Sequence, residues 1–164
     1  MNTINQIKDI VLPKKLLNNI INEVCWEAGI SYGDELVLEL GEKIPKENLL
    51  AGCCEGSWSV TSRSSMWNLS FQSSLIASSE QNIDDIIKEK IKIIEGKSVT
   101  GIDIIYPSLA LSLFMSTDYH LLIQSVEEDN EYDMPYWEIY LPENMLFQMG
   151  PNRKWFYGNL DDLD

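Results

Sequence analysis

Apolar residues recur at three- and four-residue steps in two stretches of the chain and at two-residue steps through most of the rest. The first helical stretch follows Pro13. Leu16, Leu17, Ile20, Ile21, Val24, Cys25 and Ala28 form one apolar face, and Lys14, Lys15, Asn18, Asn19, Asn22 and Glu23 lie between them. That spacing predicts an amphipathic helix opened by Pro13 and closed by Gly29. Ahead of it, Ile4, Ile7, Ile10 and Val11 suit a short helix or a docked arm. The second stripe is Ile83, Ile86, Ile87, Ile91 and Ile94, with acids early, lysines late and Gly96 after it. It predicts a helix over 82–95.

The alternating segments predict strands. Leu36, Leu38 and Leu40 make one, Trp58 and Val60 another, and Val99 to Ile105 a third. Leu109, Leu111 and Leu113 echo the first in spacing, and Tyr119 to Val126 echoes the second. Trp155-Phe156-Tyr157 reads as a last short strand. Between these lies a stretch that occurs twice. Residues 67–77 align without a gap on 137–147: Trp67 meets Trp137, Leu69 meets Ile139, Phe71 meets Leu141, and Leu75-Ile76 meets Met145-Leu146. Each copy reads as a β-hairpin. The chain is therefore expected to be α+β, with largely antiparallel sheet built from two tandem β-meander units packed with two main helices. The units are too small to bury both faces of a sheet alone. The expectation is one domain over 1–164, with an N-terminal helical segment 1–29, a first β unit 34–79, a connector helix 82–95 and a second β unit 98–157.

Composition supports a real core: 164 residues with 45% apolar content need neither disulfide nor metal to fold. There is no apolar run long enough to span a bilayer and no signal-peptide pattern at the start, which predicts a cytoplasmic protein. Cys25 falls on an apolar face as a small buried residue, and Cys53 and Cys54 are neighbours that rarely bridge each other. With one histidine, His120, the chain offers no zinc-type ligand set, and no metal or cofactor is expected. The formal net charge of −14 argues against nucleic acid and against an anionic membrane surface.

No nucleophile elbow, phosphate loop or dinucleotide fingerprint is present, and no catalytic residue is assigned. His120 has Ser112, Ser116 and Asp118 near it in sequence, without anything to fix their geometry. The run from Glu127 to Asp133 lacks the central glycine of a calcium loop. It reads as a solvated loop or as a docking surface. In the second reading Glu127, Glu128, Asp129, Glu131 and Asp133 steer a basic partner, and Tyr132 and Tyr136 anchor it. A basic nuclease is a natural partner, because it must carry positive charge to reach its substrate. The alternative is a small-molecule or regulatory pocket lined by Trp58, Trp67 and Trp137.

Pro107-Ser108-Leu109-Ala110-Leu111-Ser112-Leu113, Tyr136-Trp137-Glu138-Ile139-Tyr140-Leu141-Pro142, and Gly150-Pro151 with Trp155 carry a resemblance. Over residues 97–157, and less in the Trp58 to Trp67 region, the chain resembles small, mostly uncharacterised bacterial proteins of the toxin-immunity type. Some of these are encoded beside secreted toxins. The resemblance implies an inhibitor that neutralises a cognate toxin by forming a complex with it, without chemistry of its own. It assigns no catalytic residue, and the oligomeric state is left open.

Overall fold

The computed structural model describes residues 2–45, 54–63, 65–125 and 134–163. After the two-residue strand β1 (Asn2–Thr3) and a 3-10 turn at Ile7–Ile10, helix α1 (Val11–Leu17) runs into a 3-10 end at Asn18–Ile20. Five strands follow: β2 (Cys25–Ile30), β3 (Leu36–Pro45), β4 (Cys54–Thr61), β5 (Trp67–Phe71) and β6 (Ser74–Ser78). The series then repeats. Helix α2 (Asp85–Ile91) with a 3-10 end at Lys92–Ile94 leads into β7 (Val99–Ile105), β8 (Ala110–Met115), β9 (Tyr119–Ile123), β10 (Trp137–Leu141) and β11 (Met145–Met149). A last strand, β12 (Lys154–Asn159), has no counterpart in the first half.

The first helix is shorter than its apolar stripe predicts. It stops at Ile20, Ile21 turns extended, and Asn22 takes a left-handed φ of 79°. Cys25 and Ala28 belong instead to a strand, opposite Leu40 and Leu38. The reason is a register shift in β2 between Cys25 and Glu27. One extra residue in a strand puts two core-facing side chains three apart, which imitates helical spacing. The N-terminal helical segment thus gives way to sheet well before residue 29. The second helix matches its stripe better. Asp84 caps it, accepting hydrogen bonds from the N–H groups of Ile86 and Ile87 at 3.0 and 3.0 Å, as a side-chain N-cap should.

Among the described residues the strands form two antiparallel sheets, ordered β1-β12-β11-β10-β4-β3-β2 and β6-β5-β9-β8-β7. The hairpins have exchanged places. The first half's β5–β6 hairpin pairs with β9 of the second half, Leu69 opposite Leu121. The second half's β10–β11 hairpin pairs with β4 of the first, Ile139 opposite Val60. Each sheet is therefore built on a three-strand meander from one half joined to a hairpin from the other, and the seven-stranded sheet is extended past its hairpin by β12 and β1.

A local two-fold relates the halves. Val24 and Ser98 form an antiparallel bridge where the two helices hand over to their strands. Around it the backbone bonds come in matched pairs. Asn22 N–H donates to Val99 O at 2.8 Å and Gly96 N–H to Cys25 O at 2.6 Å; Cys25 N–H donates to Lys97 O and Val99 N–H to Glu23 O, both at 2.9 Å. Asn22 and Gly96 both need a left-handed backbone, at 79° and 87°, and asparagine and glycine are the residues that adopt it most readily. The repeated tryptophans obey the same relation. Trp67 Nε1 donates to Asp34 O at 3.0 Å and Trp137 Nε1 to Leu109 O at 2.9 Å. Asp34 and Leu109 both stand at positive φ, which turns their carbonyls toward the indoles.

The inner faces of both sheets and the buried sides of both helices join in one apolar cluster that includes Leu17, Ile20, Leu38, Trp58, Val60, Trp67, Ile91, Ile94, Leu113, Leu121, Trp137 and Ile139. Inside the hairpins the copies differ around one aromatic ring. Phe147 stacks between Trp137 and Trp155, with ring centroids 5.6 Å apart on each side. Its aligned residue in the first hairpin is Ala77, also buried, and there α2 packs on β6 instead of a further strand.

Candidate functional site

Alternation along the strands sends every second side chain out of the core, so each sheet has an outer face. On the seven-stranded sheet two cross-strand rows define it: Glu39, Ser59 and Tyr140, then Thr61, Glu138 and Gln148. Glu138 is 4% exposed. Its carboxylate accepts from Gln148 Nε2 at 2.9 Å and from the Tyr140 hydroxyl at 3.1 Å, and Arg63 Nε lies 3.7 Å away. The charge is thus held by two donors and a counter-charge, which a buried carboxylate requires. Burial, with Glu138 beside it, pushes the Tyr140 phenol up to about 12. Glu39 accepts from Gly56 N–H at 2.8 Å and Ser59 Oγ at 3.1 Å. Burial raises its pKa above the ordinary value, and these hydrogen bonds partly offset that.

At the end of this sheet, where β4 meets the β10–β11 turn, lies a cleft of about 250 Å³. Ile44, Leu141, Met145 and Leu160 give it an apolar lining, and Glu55 and Glu143 stand in its wall. Both glutamates are exposed. The turn that carries Glu143 is built on two left-handed residues, Glu143 and Asn144, at 65° and 61°. An apolar trough with carboxylates at its rim suits a long cationic side chain, whose methylenes pack while the charged head stays near the acids.

The five-stranded sheet has a different outer face. Its rows are Phe114, His120, Ser70 and Leu75, then Ser112, Leu122, Asn68 and Ser78. Ser112 Oγ lies 2.7 Å from His120 Nε2, and the Phe114 ring stacks on the imidazole at 4.5 Å. Burial lowers the His120 pKa, which favours the neutral ring. The pair that sequence placed near each other is therefore real. It lies in the middle of a sheet, where the backbone amides around Ser112 are spent on the ladders with β7 and β9. Acyl transfer needs free donors aimed at a developing oxyanion and an acid that orients the histidine. Asp103, across from Ser112, is instead tied to Lys14 at 2.8 Å.

The docking residues named from sequence divide. Glu127, Glu128, Asp129, Glu131, Tyr132 and Asp133 lie outside the described residues, as does Cys53. Tyr136 is described and is 8% exposed, with its ring against Gly150, where an added Cβ would come within 2.7 Å of it. It is part of the core, so it offers no anchoring ring at the surface. Trp58, Trp67 and Trp137 are also core residues, and four surface clefts formed by the described residues are lined by other side chains. Cys25 is buried, which pushes its thiol up to about 12. Among the described residues no group of three or more histidine, cysteine or acidic side chains is placed to hold a metal, and no helix is long and apolar enough to cross a membrane.

Sequence reasoning missed the buried Glu138 network and the Glu55–Glu143 cleft. Glu138 carried a signal, since it alternates with Trp137 and Ile139 and lies opposite Gln148 in the hairpin. The cleft carried none, because residues 55 and 143 meet only through the exchange of hairpins. Comparison with protein-family models, with curated proteins and with solved structures returns no match.

Proposed function

We propose that this chain is an immunity-type binding protein that neutralises a basic protein toxin by direct complex formation in the cytoplasm. The observation that carries the reading is the acid-rimmed cleft beside the carboxylate-bearing face of the seven-stranded sheet. It offers a pocket for a lysine or arginine of the partner, with Glu55 and Glu143 at its rim. The net charge of −14 adds a long-range field that speeds encounter with a cation. The run of acids from Glu127 to Asp133 belongs to the same reading as a second, steering element.

The test is protection. The chain is co-expressed with the basic protein encoded by the adjacent gene, and cell survival is scored. Survival is expected with the wild type and lost with Glu55→Lys/Glu143→Lys, a surface change that leaves the circular dichroism spectrum as it was. A neighbouring gene that encodes no toxic basic protein, or unchanged protection by the charge-reversed variant, overturns the proposal.

A further inference from the structure

The outer face of the five-stranded sheet has no part in that reading. Its described residues include Phe114 at 38% exposure and Leu75 at 58%, with half-buried Leu122 and His120 between them. The charged side chain in its cross-strand rows is Asp103, paired at the margin with Lys14. We propose that this face is a self-association surface, on which a second copy of the chain packs sheet against sheet about a two-fold axis.

The occupant follows from charge. A basic protein needs carboxylates, and among its described residues this face offers none beyond the paired Asp103. Nucleic acid needs several free lysines or arginines, which the rows lack. Two copies each carrying −14 repel across any acidic surface, so the surface they can share is the one without net charge. The local two-fold within the chain shows that the composition of this face is not dictated by the fold. Phe114 occupies the place that Glu39 holds on the other sheet, and Leu122 that of Thr61. A two-fold contact would bring Phe114, Leu75 and Leu122 and the uncharged polar side chains between them together from both sides, as an isologous interface does.

The size of the face sets the strength. Five strands about 4.8 Å apart and about five residues long present roughly 400 Å² of flat sheet. With side-chain relief this reaches only the low end of specific interfaces, where totals fall below about 1,200 Å². The dimer is therefore weak and forms in the micromolar range. Its salt dependence is also fixed: added salt screens the mutual repulsion and strengthens it. Binding of a basic toxin at the opposite sheet would weaken in salt, so the two proposals fail separately.

Light scattering across a micromolar concentration series tests it. The wild-type mass is expected to rise from one chain toward two, earlier at high salt than at low. Phe114→Glu, which installs the residue of the other sheet, is expected to hold the mass at one chain. Should that variant lose its circular dichroism signal, Leu75→Lys at the exposed end of the same face replaces it, with the same expectation. A wild type that stays at one chain throughout overturns the proposal and leaves the face to a different partner or to none. So does a dimer that survives the folded substitutions, or one that weakens as salt is raised.

Discussion

The outer faces of the two sheets are one surface built twice and finished differently. Position for position, Glu39, Ser59 and Tyr140 on the seven-stranded sheet correspond to Phe114, His120 and Ser70 on the five-stranded one. Thr61, Glu138 and Gln148 correspond to Leu122, Asn68 and Ser78. The inner faces keep their type: Leu38 and Leu113, Val60 and Leu121, Ile139 and Leu69 are all buried aliphatics at matching registers. Core positions are held by packing, which tolerates only similar volumes. Outer positions are not held to aliphatic packing in the same way, and there the copies part: one face gathers carboxylates and their partners, while the other sets Phe114, Leu75 and Leu122 among histidine, serine and asparagine side chains. Differences of this kind point to separate uses of the two faces.

The largest effects should come from the matched core, and they test whether the two halves are equivalent inside. Trp67→Ala and Trp137→Ala each remove a fully buried indole and its hydrogen bond to a left-handed carbonyl. Each is expected to cost about 3–5 kcal/mol in urea unfolding. Trp137→Ala should lie at the upper end, because it also strips one side of the Trp137–Phe147–Trp155 stack. A cost below about 1 kcal/mol at either site would break the equivalence.

Next come the outer rows. Glu138→Ala leaves Gln148 and Tyr140 without their acceptor and Arg63 without its counter-charge, and is expected to cost about 2–3 kcal/mol. Its counterpart Asn68 accepts a bond from Ser78 Oγ at 2.6 Å, and Asn68→Ala should cost about 1 kcal/mol. Equal costs would show that the carboxylate network adds nothing special to its face.

Acidification should separate the faces in sign. Glu39 has a folded pKa raised by burial, so the folded state binds its proton more tightly than the unfolded chain. Its contribution to stability falls as pH rises from the unfolded value, about 4.3, through the raised folded one. Glu39→Gln should therefore stabilise at pH 7, by less than about 1 kcal/mol, and bring no gain below that window. His120 has a folded pKa lowered by burial, so its contribution is complete above the unfolded value, about 6.5, and is lost as pH falls through the lowered one. His120→Gln should flatten that loss. Thermal unfolding from pH 7 to pH 4 of the two variants and the wild type checks both signs.

The smallest effect is chemical. Burial holds the Cys25 thiol neutral well above physiological pH, and the thiolate is the reactive form. Cys25 should resist iodoacetamide at pH 8 in the native protein and react once unfolded, as mass spectrometry of the digested chain would record.

Much of the architecture was written in alternation and turn residues. The match of 67–77 on 137–147 gave both hairpins, and the second came out at the expected residues, Trp137–Leu141 and Met145–Met149. The bulge in β2 hid a strand inside an apparent helical stripe, since periodicity cannot distinguish an extra strand residue from a turn of helix. The true repeat, helix plus five strands, was masked for the same reason. The exchange of hairpins could not be read at all, because a β5 that pairs with β9 has the same inward and outward pattern as one that pairs with β4. The proposed binding surfaces were less legible than the fold. Tyr136 looks like an exposed aromatic beside an acidic run, but its ring is buried against Gly150. The cleft joins residues from opposite halves of the chain.

Calorimetric titration of the adjacent gene's basic product into the wild type, Glu55→Lys/Glu143→Lys and Phe114→Glu tests most directly the claim that the two faces have separate uses. The account predicts tight binding by the wild type, at least about a tenfold loss, or 1.4 kcal/mol, on charge reversal at the cleft, and unchanged affinity for Phe114→Glu. Wild-type affinity in the cleft variant, or a loss confined to Phe114→Glu, would contradict it.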